Sequence, residues 1–160
     1  MKTFSFELAG LESTLIFRKS PSALRVQEIT GFDPAKELSK YKVFADEEFN
    51  IGEAWYCRDG VSGSVQRISP EHGTGPEFVN SSMEAFRASI KAAAKWSTDH
   101  DSKTIRSNPK SVDLLAEALS EIDSKALQSP EHHWAMLIDH IRECASDDED
   151  DEMEFKFEIT

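Results

Sequence analysis

Long apolar runs are what this 160-residue sequence most plainly lacks. No stretch approaches the ~18 apolar residues that a membrane helix needs. The start, Met1-Lys2-Thr3-Phe4-Ser5-Phe6-Glu7, alternates apolar with polar and does not form the continuous apolar segment of a signal peptide. Cysteine is scarce too. Cys57 and Cys144 lie far apart and outside any Cys-x-x-Cys spacing, so they read as two buried thiols of a reducing compartment, and a cytoplasmic location is expected. Basic charge is the third shortage: 18 Lys and Arg stand against 30 Asp and Glu, a formal net charge of -12. Phosphate contacts need Lys or Arg to release counterions, so such a field repels nucleic acid and anionic membrane, and neither is expected as a partner. It would speed encounter with a cationic protein, although acidity serves solubility equally well.

The chemistry-bearing motifs are also missing. Glu71-His72-Gly73-Thr74-Gly75 lacks the spacing of a phosphate cradle or a dinucleotide turn and reads as a flexible connection. There is no Gly-x-Ser-x-Gly elbow, and Ser81 and Ser82 suit helix capping better than nucleophilic attack. Cys57 lies beside Arg58, which could lower a thiol pKa, but Trp55 and Tyr56 suggest a packed hairpin. His133, His140 and Cys144 share one helical face at spacings of seven and four; this is tolerable for metal ligands, yet a half-buried polar stripe is the better reading. Arg87, Lys91 and Lys95 form a basic row that reads as a solvated face. No catalytic residue, metal ligand or cofactor is assigned.

What is present is a pattern of strands followed by helices. Phe4, Phe6 and Leu8 alternate with polar residues, as in a half-buried strand. Thr14 to Arg18 and Leu24 to Ile29 are two further strand candidates, separated by the turn-prone Ser20-Pro21-Ser22. Asp33-Pro34 opens a short helix to about Leu38. Phe49 to Cys57 and Val61 to Ile68 flank Arg58-Asp59-Gly60, a hairpin signal, and Glu77-Phe78-Val79 is a short strand. Ser81-Ser82-Met83-Glu84 fits a capping box with Ser81 as N-cap and Glu84 reaching back. A helix with Met83, Phe86, Ile90, Ala94 and Ser97 on one face follows, to about Trp96. Thr98 to Lys110 reads as loop. Val112, Leu115, Leu119 and Ile122 mark a second helix, and Ser129-Pro130 opens a third with Trp134, Leu137, Ile138, Ile141 and Ala145 inward. The order argues α+β, a mainly antiparallel sheet built by the N-terminal half and packed against C-terminal helices.

The end of the chain stands apart. Asp147, Asp148, Glu149, Asp150, Asp151 and Glu152 form an unbroken carboxylate run, followed by Met153, Phe155, Phe157 and Ile159 at strand spacing. Residues 147–160 carry eight carboxylates and one lysine, and residues 1–146 carry 22 acidic and 17 basic groups, so over half the net charge follows Ser146. The terminal strand fits an edge position beside Phe4–Leu8 or a strand offered to a partner. Residues 1–146 are expected to form a single α+β domain, with 147–160 part of it or appended to it. The acidic clusters singled out for partner binding are Asp147 to Glu152 and Asp46-Glu47-Glu48.

Two stretches carry a resemblance. Phe78-Val79-Asn80-Ser81-Ser82-Met83-Glu84-Ala85-Phe86 is a strand running into a capped helix. Leu115-Ala116-Glu117-Ala118-Leu119-Ser120-Glu121-Ile122-Asp123, with Ala126-Leu127, precedes Trp134 and Leu137-Ile138. In this order, over about Tyr41 to Ala145, they resemble the SUKH superfamily of bacterial immunity proteins, in particular its fourth subfamily. Phe78, Val79, Asn80, Ser81, Ser82, Phe86 and Trp134 mark the fold: Val79 ends a strand, Asn80 and Ser81 supply cap oxygens, and Phe86 returns to the core. The resemblance implies an α+β, non-catalytic protein that neutralises a cognate toxin, often a nuclease or deaminase. Partner surfaces vary in that superfamily, so the motif assigns no binding residues. With the charge it implies a cationic toxin, blocked by occlusion. A small acidic chaperone for a secreted effector, working as a homodimer on a partly unfolded client, is the rival.

Overall fold

The computed structural model of the protein describes residues 2–8, 11–23, 41–49, 52–68, 76–100, 102–146 and 157–159. Its strands are β1 (Lys2–Leu8), β2 (Leu11–Ala23), β3 (Tyr41–Phe49), β4 (Gly52–Asp59), β5 (Val65–Ile68), β6 (Glu77–Asn80) and β7 (Phe157–Ile159). They form one sheet in the order β6-β5-β4-β3-β2-β1-β7, with every pairing antiparallel. The helices are α1 (Met83–Asp99), α2 (Ser102–Ser107), α3 (Ser111–Ile122) and α4 (His133–Ser146), with a 3-10 turn at Ser124–Leu127 between the last two. The architecture is α+β, as the order of the sequence patterns implies.

Sheet irregularities account for where the strand assignment shifts. The expected turn at Ser20-Pro21-Ser22 lies inside β2, where the pairing with β3 slips between Phe17 and Ser22. Pairing with β1 stops at Phe17, so Pro21 sits beyond β1 and at a bulge, where its missing N–H removes no regular ladder bond. Phe49 closes β3, opposite Gly52 at the start of β4, and does not begin the hairpin strand as its aromatic neighbours suggest. The connection between β4 and β5 spans residues 60–64 and so extends past the expected Arg58-Asp59-Gly60. The Asp59 side chain accepts from the N–H groups of Val61 and Ser62 at 2.7 and 3.0 Å. The left-handed position falls on Gly63, with φ 75°. Leu24–Ile29 and the helix at Asp33–Leu38 lie outside the described residues.

A second bulge sets the core. Register shifts between Val43 and Ala45, so Phe44 is an extra residue and joins Ala45 on the helix side of the sheet. There, Phe44, Ala45, Tyr56, Val65 and Val79 meet Phe86, Ile90, Leu115, Leu119, Trp134, Ile138 and Ile141. Phe86 is fully buried, edge-on to Phe44 with centroids 5.4 Å apart, and 5.2 Å from Tyr56. Tyr41, Val43, Cys57 and Ile68 form a separate buried group, with Trp55 against it. Alternation along β4 places Cys57 and Trp55 on the face opposite Tyr56.

Helix boundaries follow local chemistry. The N-cap of α1 is Ser82, whose Oγ accepts from Ala85 N–H at 3.1 Å, one residue later than expected. The stretch read as loop after Thr98 contains α2, because Ile105 is fully buried and anchors a helical turn in an otherwise polar run. Trp96 Nε1 donates to the Ser111 carbonyl at 2.8 Å and ties the end of α1 to the start of α3. Ser129 to His132 is a turn, so α4 begins at His133, later than Ser129-Pro130 suggests. Replacing Phe86 with Ala should remove the ring that joins sheet to helices. The expected loss is about 3–5 kcal/mol of unfolding free energy, read from urea denaturation followed by circular dichroism.

Candidate functional site

The residues that mark the resemblance form a hydrogen-bonded knot where β6 runs into α1. Asn80 ends β6 fully buried. Its Nδ2 donates to Ser89 Oγ at 3.1 Å and to Asp123 Oδ2 at 3.2 Å, and its Oδ1 accepts from Trp134 Nε1 at 3.0 Å. Asp123 closes α3 and caps the 3-10 turn. Besides Asn80, its carboxylate accepts from Ser81 N–H at 2.6 Å, Ser81 Oγ at 2.9 Å and Lys125 N–H at 3.2 Å. Asn80 and Ser81 therefore bind Asp123 instead of capping α1. The two stretches quoted for the resemblance meet at one carboxylate, through residues 42 and 43 positions apart in sequence. Burial alone would raise the Asp123 pKa, but these donors outweigh it and hold the group below the usual carboxylate range.

A second polar cluster crosses the helix-facing side of the sheet. Register sets Tyr56 opposite Arg67, and Arg67 opposite Glu77. Arg67 Nε donates to Glu47 Oε2 at 2.6 Å and its Nη1 to Glu77 Oε2 at 3.2 Å. From α4, His133 Nε2 lies 3.1 Å from the Tyr56 hydroxyl and Nδ1 lies 3.8 Å from Glu77 Oε2. Burial raises the Tyr56 phenol well above its ordinary range, reinforced by the charge of Glu47. Burial would lower the Arg67 pKa, yet the charge of Glu47 drives it up, so the guanidinium is permanently charged. Glu77 is pushed up by burial but held low overall by the His133 hydrogen bond and the charge of Arg67.

This cluster changes the reading of Asp46-Glu47-Glu48. Strand alternation sets Glu47 apart from Asp46, and Glu47 points inward, 3% exposed and bound to Arg67, so it is no part of a solvated acidic surface. Asp46 is half-buried, and Glu48 pairs with Glu53 in the ladder. Asp147, Asp148, Glu149, Asp150, Asp151 and Glu152 lie outside the described residues. The terminal strand pairs within the sheet, β7 against β1, with Phe4 opposite Ile159. His133 faces Tyr56 and Glu77, while His140 Nε2 lies 3.7 Å from Cys144 Sγ. Cys57 is buried, and Arg87, Lys91 and Lys95 are exposed along α1. Sequence reading missed Arg67, Glu77 and Tyr56 because the cluster is assembled from four separate strands and α4. A charged residue at an inward position of an alternating strand is the available signal.

Two outcomes are expected. Arg67→Ala leaves Glu47 buried without its cation and should lower stability by about 3–5 kcal/mol, with Glu47→Gln in the same chain restoring part of the loss. That is measured as a double-mutant cycle of urea unfolding. Glu77 and Asp123 both have lowered folded-state pKa values, so their stabilisation is complete above the ordinary carboxylate range of ~4 and is lost as pH falls through and below it. The stability gap between wild type and Asp123→Asn should therefore narrow as denaturation is repeated from neutral to acid pH.

The sequence model of the SUKH-4 immunity protein family matches residues 11–140. The match starts ahead of the expected Tyr41 and takes in all of β2, both polar clusters and more than half of α4. No curated protein and no solved structure matches the chain. With the knot at Asp123 joining the two stretches that pointed there, and a match over most of its length, the chain belongs to the SUKH-4 immunity protein family.

Proposed function

We propose that this protein protects a bacterial cell by binding a cognate, cationic toxin as a folded one-to-one complex and occluding its working surface, without chemistry of its own. The observation that carries the reading is the family match over residues 11–140. Two features support it. The titratable groups held in unusual environments have internal partners: Arg67 binds Glu47 and Glu77, Tyr56 binds His133, and Asp123 serves Asn80, Ser81 and Lys125. These arrangements build the fold and are poorly placed to turn over a substrate. The net charge of -12 would steer a basic protein towards this one and raise the rate of encounter.

No helix among the described residues is long and apolar enough to cross a membrane. Buried Cys57, a thiol outside any disulfide, fits the reducing cytoplasm, where an immunity protein would meet a toxin entering or made in the cell. Co-expression with the toxin domain encoded beside this gene is expected to restore growth, and the two proteins should elute together from gel filtration. Unchanged killing with no complex would overturn the proposal.

A further inference from the structure

Three exposed carboxylates of α3 and α4, Glu117, Glu121 and Glu143, stand where helix stability does not ask for them. Asp113, Glu117 and Glu121 follow at four-residue spacing on α3, which has no Lys or Arg, so like charges repel along one face. Glu121 lies in the last turn of α3 and Glu143 in the last turn of α4, where the helix dipole disfavours negative charge, and neither turn holds a basic residue. Arg142 is the one Lys or Arg on the two helices, and it joins Asp113 of α3 at 2.8 Å and Asp139 of α4 at 3.3 Å. The first turn of α3 thus lies beside the C-terminal half of α4. These five carboxylates are all solvent-exposed.

An independent observation falls on the same two helices. Leu114 is 56% exposed and Met136 39% exposed; with Val61 on the β4–β5 hairpin they are the large apolar side chains left open among the described residues. Apolar anchors set among charged side chains are the usual composition of a protein-binding face. Charge is also sorted by helix, since Arg87, Lys91 and Lys95 sit on α1. A local pattern that costs helix stability, is exposed and is absent from the core is where a function is expected to override folding.

We propose that the outer face of α3 and α4, with Leu114 and Met136 as anchors among Asp113, Glu117, Glu121, Asp139 and Glu143, docks onto a basic surface of the partner toxin. This rests on the toxin-binding reading above and adds the surface to it. The occupant follows from charge complementarity: Asp113 and Asp139 share one arginine while Glu117 and Glu121 face no Lys or Arg of their own helix, an excess that selects a cationic face, and the anchors supply contact area once the charges have aligned the two proteins.

The test uses the full chain and the toxin domain encoded beside its gene, in an active-site-inactivated form, with affinity read by titration calorimetry. Wild type should bind, and more weakly as salt is raised. Glu117→Lys with Glu121→Lys, and separately Leu114→Ser with Met136→Ser, should each weaken binding by about tenfold or more while the far-ultraviolet melting curve stays that of a folded protein. Should the lysine pair fail to fold, Glu117→Gln with Glu121→Gln reads the same charge at lower cost to the helix. Arg87→Glu with Lys91→Glu should bind as wild type does. Wild-type binding that these α3–α4 variants leave intact overturns the docking face and spares the proposed function. Absence of wild-type binding overturns both. A wild-type dimer that the α3 variants dissolve, with toxin affinity unchanged, makes the face a self-association surface and overturns the inference.

Discussion

The carboxylate of Asp123 sits where the end of β6, the start of α1 and the end of α3 converge, and it accepts hydrogen bonds from all sides of that junction. Such a group is costly to bury unless its acceptor sites are filled, and filling them demands that Asn80, Ser81 and the turn after Ile122 adopt one arrangement. Asn80 extends the constraint through Ser89 on α1 and Trp134 on α4. One buried charge thereby sets the position of three helices against the edge of the sheet. Apolar packing alone would leave those helices freer to slide, because the hydrophobic effect has no direction. Hydrogen bonds that must all be made together do have one.

The cluster around Arg67 does a similar service across the sheet. A guanidinium flanked by Glu47 and Glu77 aligns β3, β5 and β6, and the Tyr56–His133 contact lays α4 over them. Charge therefore has two separate uses in this molecule. Inside, it is paired and directional and locates elements. Outside, Glu117 and Glu121 on α3 and Glu143 at the end of α4 are exposed and stand where the charge pattern is locally unfavourable to their helices. The exposed Asp113–Arg142–Asp139 bridge contributes little to stability, on the order of 0–1 kcal/mol, since water competes for both partners.

Much of the fold was legible in advance, for reasons that differ by element. α3 and α4 show strong 3.6-residue periodicity, and β1 shows strict alternation, so each could be read from a short window. β3 was not readable in that way. Its sequence YKVFADEEF contains three carboxylates, and the inward one, Glu47, is tolerated only because Arg67 arrives from β5. The same residue defeated the reading of an acidic surface: a carboxylate run looks alike whether solvated or split across two faces of a strand. α2 escaped notice because a single buried residue, Ile105, supports it. The cap shifted from Ser81 to Ser82 because Ser81 is drawn to Asp123, a partner 42 residues away.

The sequence by itself determined the class of the protein. Periodicity and element order specify α+β, composition specifies an acidic chain, and the FVNSS corner with the later LAEALSEID stretch specifies the family. These are local properties, written within windows of about ten residues. Only the tertiary structure decided which polar residues are structural and which are available. Asp123, Glu47 and Glu117 look equivalent in sequence, yet the first two are committed to buried donors and the third faces water. The physical reason is that the fate of a charge depends on what approaches it from distant parts of the chain, and burial, pairing and direction exist only after folding has brought those parts together.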